Sequence, residues 1–168
     1  MTKEKEKIVD IIKGALLLEY RGKSFYESVA RTTNVDAVKE FFEFLVGEEE
    51  KHIDLLEKQF KNVAVNMGVD LKDVEPGGSR SSSEILSDKI VNEVLGAGYE
   101  AAFIAAALEF EKNAVNYYSE HAATAETVEE KKLYKWLADW EKSHMTMLAE
   151  LDKEIKEKIW YDNSFWPL

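Results

Sequence analysis

Two of the chain's three histidines each stand three residues after a glutamate, in GEEEKH at residues 47–52 and in EKSH at 141–144. Carboxylate and imidazole at this spacing can bind a metal. On a helix, positions three apart share a face about one turn apart, so Glu49 and His52 point into one space, as do Glu141 and His144. One such pair in an acidic chain carries little weight, but here the pair recurs within a longer repeat. A shift of 92 residues lays ALLLEYRGKSFYESVA (15–30) over ALEFEKNAVNYYSEHA (107–122), matching Ala15 with Ala107, Glu19 with Glu111, Phe25-Tyr26 with Tyr117-Tyr118 and Ala30 with Ala122. The same shift places Lys39 on Lys131, Phe42 on Tyr134, Leu45 on Leu137, Glu49 on Glu141, His52 on His144 and Leu56 on Leu148.

The elements that must position these residues read as helices. Ile8, Ile11, Ile12, Ala15, Leu18, Phe25 and Val29 follow the three-and-four spacing of a helix face, and no proline occurs before Pro76, which predicts a first helix over 5–31. RTTN at 31–34 offers capping-type residues, and Val38, Phe41, Phe42, Leu45, His52, Leu55, Leu56 and Phe60 form the stripe of a second helix from about 35 to about 65. Pro-Gly-Gly and a serine run break the pattern after residue 66, so 66–98 reads as a crossover connection with a short helix at EILSDKIVNEVL. Helices three and four are expected over about 99–123 and 126–158. Counted at 1.5 Å per residue, Glu19 and Glu49 lie roughly 18 and 21 Å from the turn between their helices, and Glu111 and Glu141 sit at matching heights in the second hairpin. Six side chains, Glu19, Glu49, His52, Glu111, Glu141 and His144, are therefore expected to converge at mid-height of an all-α four-helix bundle.

Composition narrows the chemistry. A length of 168 residues suits one domain, 1–168, because two halves of that size would barely bury a core each. The net charge of −11, with Lys and Arg interleaved among the acids, speaks against nucleic acid as a partner. The longest apolar stretch, AAFIAAAL at 101–108, is far short of the roughly 20 residues that span a bilayer, and MTKEKEKIVD has no secretion-signal core, so a soluble, cytoplasmic protein is expected with no membrane partner. Absence of cysteine excludes disulfides, thiol catalysis and cysteine-ligated metal within these residues. Any metal must be held by carboxylate and imidazole. Four carboxylates balance two divalent ions, and without ions they would repel one another and take up protons. Iron suits this donor set, and manganese or zinc are accepted by the same ligands.

With these residues in register the chain resembles the ferritin-like superfamily, and within it the rubrerythrin-type di-iron proteins. The resemblance covers about 5–158 and rests on Glu19, Glu49-x-x-His52, Glu111, Glu141-x-x-His144 and the repeated Glu-x6-Tyr. It implies a ferritin-like four-helix bundle with a crossover between helices two and three, two irons on those six residues as the reactive centre, and redox chemistry with hydrogen peroxide or dioxygen. Two departures from rubrerythrin stand out. That family usually carries a four-cysteine iron centre, so this chain would take electrons from a separate donor. Rubrerythrin also has a further glutamate one turn beyond the helix-three ligand, where this chain has Ala114, with Gly22 as the repeat equivalent. Glu109 points elsewhere on its helix. These departures give weight to an oxidase or ferroxidase beside a peroxidase.

The remaining residues read more plainly. Glu48 and Glu50 flank a ligand on other faces and are expected to be solvated. Tyr26 and Tyr118 are expected as core packing, with a role beside the ligands as the alternative. His121 has no matching glutamate and is not expected to bind metal. The aromatic tail IWYDNSFWPL at 159–168 is expected to fold back on the bundle or to bury in a homodimer. A ferroxidase that sequesters iron and a metal-stabilised helical interaction module are the alternatives to a di-iron oxidoreductase acting in oxidative stress or iron metabolism.

Overall fold

The computed structural model describes residues 3–65, 68–72, 74 and 98–161. They form four helices, α1 Lys3–Thr32, α2 Asp36–Ala64, α3 Gly98–Thr124 and α4 Val128–Tyr161, with no strand among the described residues. The architecture is the expected all-α four-helix bundle. Each apolar stripe read in the sequence faces the interior: Ile12, Phe42, Leu45, Leu56, Leu137 and Leu148 are fully buried. The short helix expected in the connection lies outside the described residues, as do residues 162–168 of the aromatic tail.

The turns are set by threonines, though not as the sequence suggested. RTTN does not cap α2: Val35 occupies its N-cap position with extended backbone and no side-chain capping bond. Thr33 instead accepts the amide of Val35 at 3.1 Å and donates its hydroxyl to Glu100 on α3 at 3.0 Å, tying the first turn to the second hairpin. At the start of α4, Thr127 accepts the amide of Glu130 at 3.1 Å and donates to its carboxylate at 2.8 Å, satisfying one of the otherwise unpaired first-turn amides.

The apolar interior is divided in two. One cluster joins the end of α1, the start of α2, the start of α3 and the end of α4, through Tyr26, Val29, Val38, Phe42, Ile104 and Leu151. The other joins the opposite ends, through Val9, Ile12, Leu56, Tyr118, Leu133 and Leu137. α2 thus ends at one end of the bundle and α3 begins at the other, which is a crossover topology. Gln59 anchors the start of the connection, donating to the Asp70 carbonyl at 2.6 Å and accepting the Asp70 amide at 2.8 Å. α1 and α3 approach closely where Gly14 faces Tyr117. A Cβ on Gly14 would collide with the Tyr117 hydroxyl, which donates to the Ile11 carbonyl at 2.8 Å.

No described helix is long and apolar enough to cross a membrane. Leu45 sits in the cluster beside the α1–α2 turn and has no exposed surface. Leu45→Ala should lower unfolding free energy by about 2–5 kcal/mol in urea denaturation, whereas Lys39→Ala on the solvent face should change it by less than about 0.5 kcal/mol.

Candidate metal centre

Between the two apolar clusters lies a layer of buried charge. Glu19 on α1, Glu49 and His52 on α2, Glu111 on α3, and Glu141 and His144 on α4 are each at most 3% exposed. The register inferred from helix lengths brings all six together. Nδ1 of His52 lies 2.8 Å from Glu141 Oε1 and 3.4 Å from an oxygen of each of Glu19 and Glu49. Nδ1 of His144 lies 3.3 Å from Glu141 Oε2 and 3.6 Å from Glu111 Oε2. The two imidazoles lie 5.8 Å apart, ring centre to ring centre.

The donor atoms fall into two overlapping groups, Glu19, Glu49, His52 and Glu141, and Glu49, Glu111, Glu141 and His144, each with its atoms within 4.8 Å of one another. Glu49 and Glu141 belong to both groups. Each group also has one glutamate and one histidine of its own, so the sequence repeat appears in space as an approximate two-fold.

Two tyrosines brace the glutamates that come without a histidine. Tyr26 on α1 donates to Glu111 on α3 at 2.5 Å, and Tyr118 on α3 donates to Glu19 on α1. Packing alone, the default expectation, understates these residues: each side chain is buried and its hydroxyl crosses the bundle to a carboxylate. Burial and the charges of Glu111 and Glu19 raise both phenols well above their usual range, so they stay protonated as donors.

Burial and mutual repulsion, chiefly from Glu141 and Glu19, raise Glu49 well above the ordinary carboxylate range. Glu111 is raised to about 7 by burial and by Glu141, against the opposing pull of His144. Burial works against charge on His52 and His144, but the surrounding carboxylates outweigh it and raise both. Burial likewise works against the charged form of Glu141, yet His52 and His144 hold it well below the usual range. Without cations, the cluster would thus hold protons on Glu49 and Glu111.

The buried donors fit divalent metal. Glu49 Oε2, His52 Nε2, both oxygens of Glu141 and both ring nitrogens of His144 are buried without a hydrogen-bond partner among the described residues. Unsatisfied groups of this kind are costly in a folded interior unless an ion or water completes them. Hard carboxylate oxygens with two imidazoles are the donor set of iron, manganese and zinc.

Glu48 is a correction to the sequence reading. It was expected in solvent but is 4% exposed, accepting Trp140 Nε1–H at 3.1 Å and Lys51 Nζ–H at 2.5 Å. Burial would raise this carboxyl, but the nearby His144 imidazole and the Lys51 ammonium bring it down to about 2. The signal was present in the spacing: Glu48 stands four residues before His52, which places both on one helix face. Glu50 is exposed as expected and pairs with Lys23 at 2.8 Å. His121 stays apart from the cluster, packed against Tyr117 at 4.4 Å. Glu109 lies on the exposed face near Lys112. Gly22 and Ala114 line a gap of about 20 Å³ together with Glu19, Glu49, Glu111, Glu141 and Tyr26.

A four-helix bundle that draws one glutamate from each of two helices and a Glu-x-x-His from each of the other two has the arrangement of the ferritin-like di-metal carboxylate class. The family model for rubrerythrin matches residues 10–152, a span that contains all six residues. The chain belongs to the rubrerythrin family. No curated protein and no solved structure gives a significant match.

The raised groups fix a pH dependence for the metal-free protein. Glu49, Glu111, His52 and His144 hold protons to higher pH when folded than when unfolded, so their stabilisation is present at low pH and is lost as pH rises through their folded values. Glu48 and Glu141, both depressed, lose theirs only on acidification below the carboxylate range. The thermal unfolding temperature of the metal-free protein should therefore fall as pH rises from 4.5 through about 7. With divalent metal in place of the protons, the slope over the same window should reverse.

Proposed function

We propose that the chain is a di-iron oxidoreductase that uses hydrogen peroxide or dioxygen as oxidant. The observation that carries this reading is the pair of overlapping donor groups that share Glu49 and Glu141. In it, Glu19 and His52 would hold one metal, Glu111 and His144 the other, and Glu49 and Glu141, which belong to both donor groups, would be available to each. Four carboxylates then neutralise two divalent cations, which removes the repulsion that otherwise forces protons onto the cluster. Iron, when bound, supplies the electrons that reduce the oxidant.

The protein's own groups hold and limit this chemistry. Tyr26 and Tyr118 fix the orientation of Glu111 and Glu19 by hydrogen bonds across the bundle. The apolar clusters above and below the layer keep bulk water away from it. Gly22 and Ala114 leave the small gap against the glutamates, with room for about one water-sized molecule, the size class of peroxide or dioxygen. A Cβ on Gly22 would make ordinary contact with the Glu49 carboxyl carbon at 3.9 Å, so only a side chain longer than alanine would extend into this space.

No cysteine-ligated iron centre lies within these 168 residues, so in this reading the electrons come from outside them. The assembly is taken to be a homodimer. Ala114, at the position where rubrerythrins carry a further carboxylate, favours a second reading in which the site oxidises and passes on ferrous iron as substrate.

Metal-free protein loaded with ferrous iron under anaerobic conditions should bind two irons per chain. Mixed rapidly with oxidant, faster development of ferric absorbance with peroxide than with dioxygen marks a peroxidase. Faster reaction with dioxygen and continued iron uptake marks a ferroxidase. Glu49→Ala combined with Glu141→Ala should abolish stoichiometric binding, and unchanged binding in that variant would overturn the di-metal reading.

A further inference from the structure

The 92-residue repeat makes the two halves of the site equivalent in their ligands, yet it breaks immediately beside them. The position of Glu48 in the first half is Trp140 in the second. The surroundings of the two histidines differ accordingly. Nε2 of His144, the ring nitrogen turned away from the carboxylate cluster, lies 3.7 Å from Glu48 Oε2. Neither this nitrogen nor the buried Nε2 of His52 has a hydrogen-bond partner among the described residues, so the difference between them is the carboxylate that stands behind His144. The His52 ring instead packs at right angles to Trp140 at 4.7 Å, and Trp136 packs on Trp140 at 4.6 Å.

Glu48 is held in place from two sides. The indole N–H of Trp140 fixes Oε2, the oxygen nearest His144, and the Lys51 ammonium fixes Oε1. One imidazole therefore has an oriented carboxylate behind it, and the other has an indole. An imidazole that binds metal through one nitrogen is made a stronger, better oriented ligand when the opposite N–H meets a carboxylate. Loss of such a partner typically costs 10–100-fold in metal affinity. An aromatic ring offers an imidazole N–H a much weaker acceptor.

We propose that Glu48 is a positioning residue that makes the two metal positions unequal, so that the one formed by Glu49, Glu111, Glu141 and His144 fills before the one completed by Glu19 and His52. This rests on the reading of the cluster as a di-metal site, and it assigns the site an order of loading that the ligands alone do not give. The repeat supplies two like sets of ligands, and the Glu48/Trp140 exchange distinguishes them. The first ion to enter would then occupy the His144 side, leaving the His52 side as the more readily exchanged position.

Anaerobic titration of metal-free protein with cobalt(II), followed by its visible absorption, tests the proposal without any turnover. The expected result is two resolved steps, of which His144→Ala removes the tighter and His52→Ala the weaker. Glu48→Gln keeps an oxygen to accept from Trp140 while removing the charge. It should weaken the tighter step by about 10–100-fold and leave the weaker step in place. The far-UV circular dichroism of this variant should match the parent, which separates a ligand effect from a folding defect. Two equal steps in the parent, or a Glu48→Gln titration that is unchanged or weakened equally in both steps, would overturn the proposal while leaving the di-metal reading intact. Failure of the parent to bind two cobalt ions would overturn both.

Discussion

Four glutamates meet at the centre of a helical bundle, where solvent cannot screen them, and most features of the interior answer that repulsion. Two unit charges 4 Å apart interact by about 4 kcal/mol at an effective dielectric of about 20, while burial of a leucine-sized side chain contributes about 1.5–3 kcal/mol. A few unneutralised contacts among Glu19, Glu49, Glu111 and Glu141 would thus offset several core residues. The protein responds by placing His52 and His144 against these carboxylates, by lending phenol protons from Tyr26 and Tyr118, and by holding protons on Glu49 and Glu111. Divalent cations would answer the same repulsion more completely.

The helices have the lengths and turns that this centre requires. A charged layer at mid-height is stable only if each helix continues well past it on both sides, so that apolar residues close the interior above and below. α1 to α4 do so, and the two clusters they form share no buried residue across the charged layer. Thr33 links the first turn to Glu100 at the start of α3, a contact that joins the two hairpins at that end of the bundle.

The approximate two-fold of the site ends at the layer just outside the ligands. Glu48 and Trp140 occupy equivalent places and are bonded to each other, so the asymmetry is built from one contact between α2 and α4. Glu48 pairs with His144 on the opposite hairpin, and Trp140 covers His52 on the opposite hairpin. Each half therefore shapes the surroundings of the histidine belonging to the other. The gap beside Gly22 and Ala114 lies among the glutamates, away from this contact, so the face open to a small molecule and the face that distinguishes the two histidines are separate.

The sequence by itself determined the four helices, their approximate ends and the six convergent side chains. It could do so because helix periodicity, a 92-residue repeat and a fixed rise per residue are local properties, and together they set both face and height. It misjudged what depends on neighbours from other helices. Glu48 looks like one more surface acid beside Glu49 and Glu50, and only the packing of Trp140 against α2 buries it beside His144. Tyr26 and Tyr118 show their helix face in sequence, but that each hydroxyl reaches across to the other half's glutamate depends on the distance between α1 and α3. RTTN has the residues of a cap, yet Thr33 serves the turn and Glu100 because α3 lies within reach of its hydroxyl. In each case a side chain had several possible partners, and the relative placement of whole helices, which no local pattern encodes, selected one.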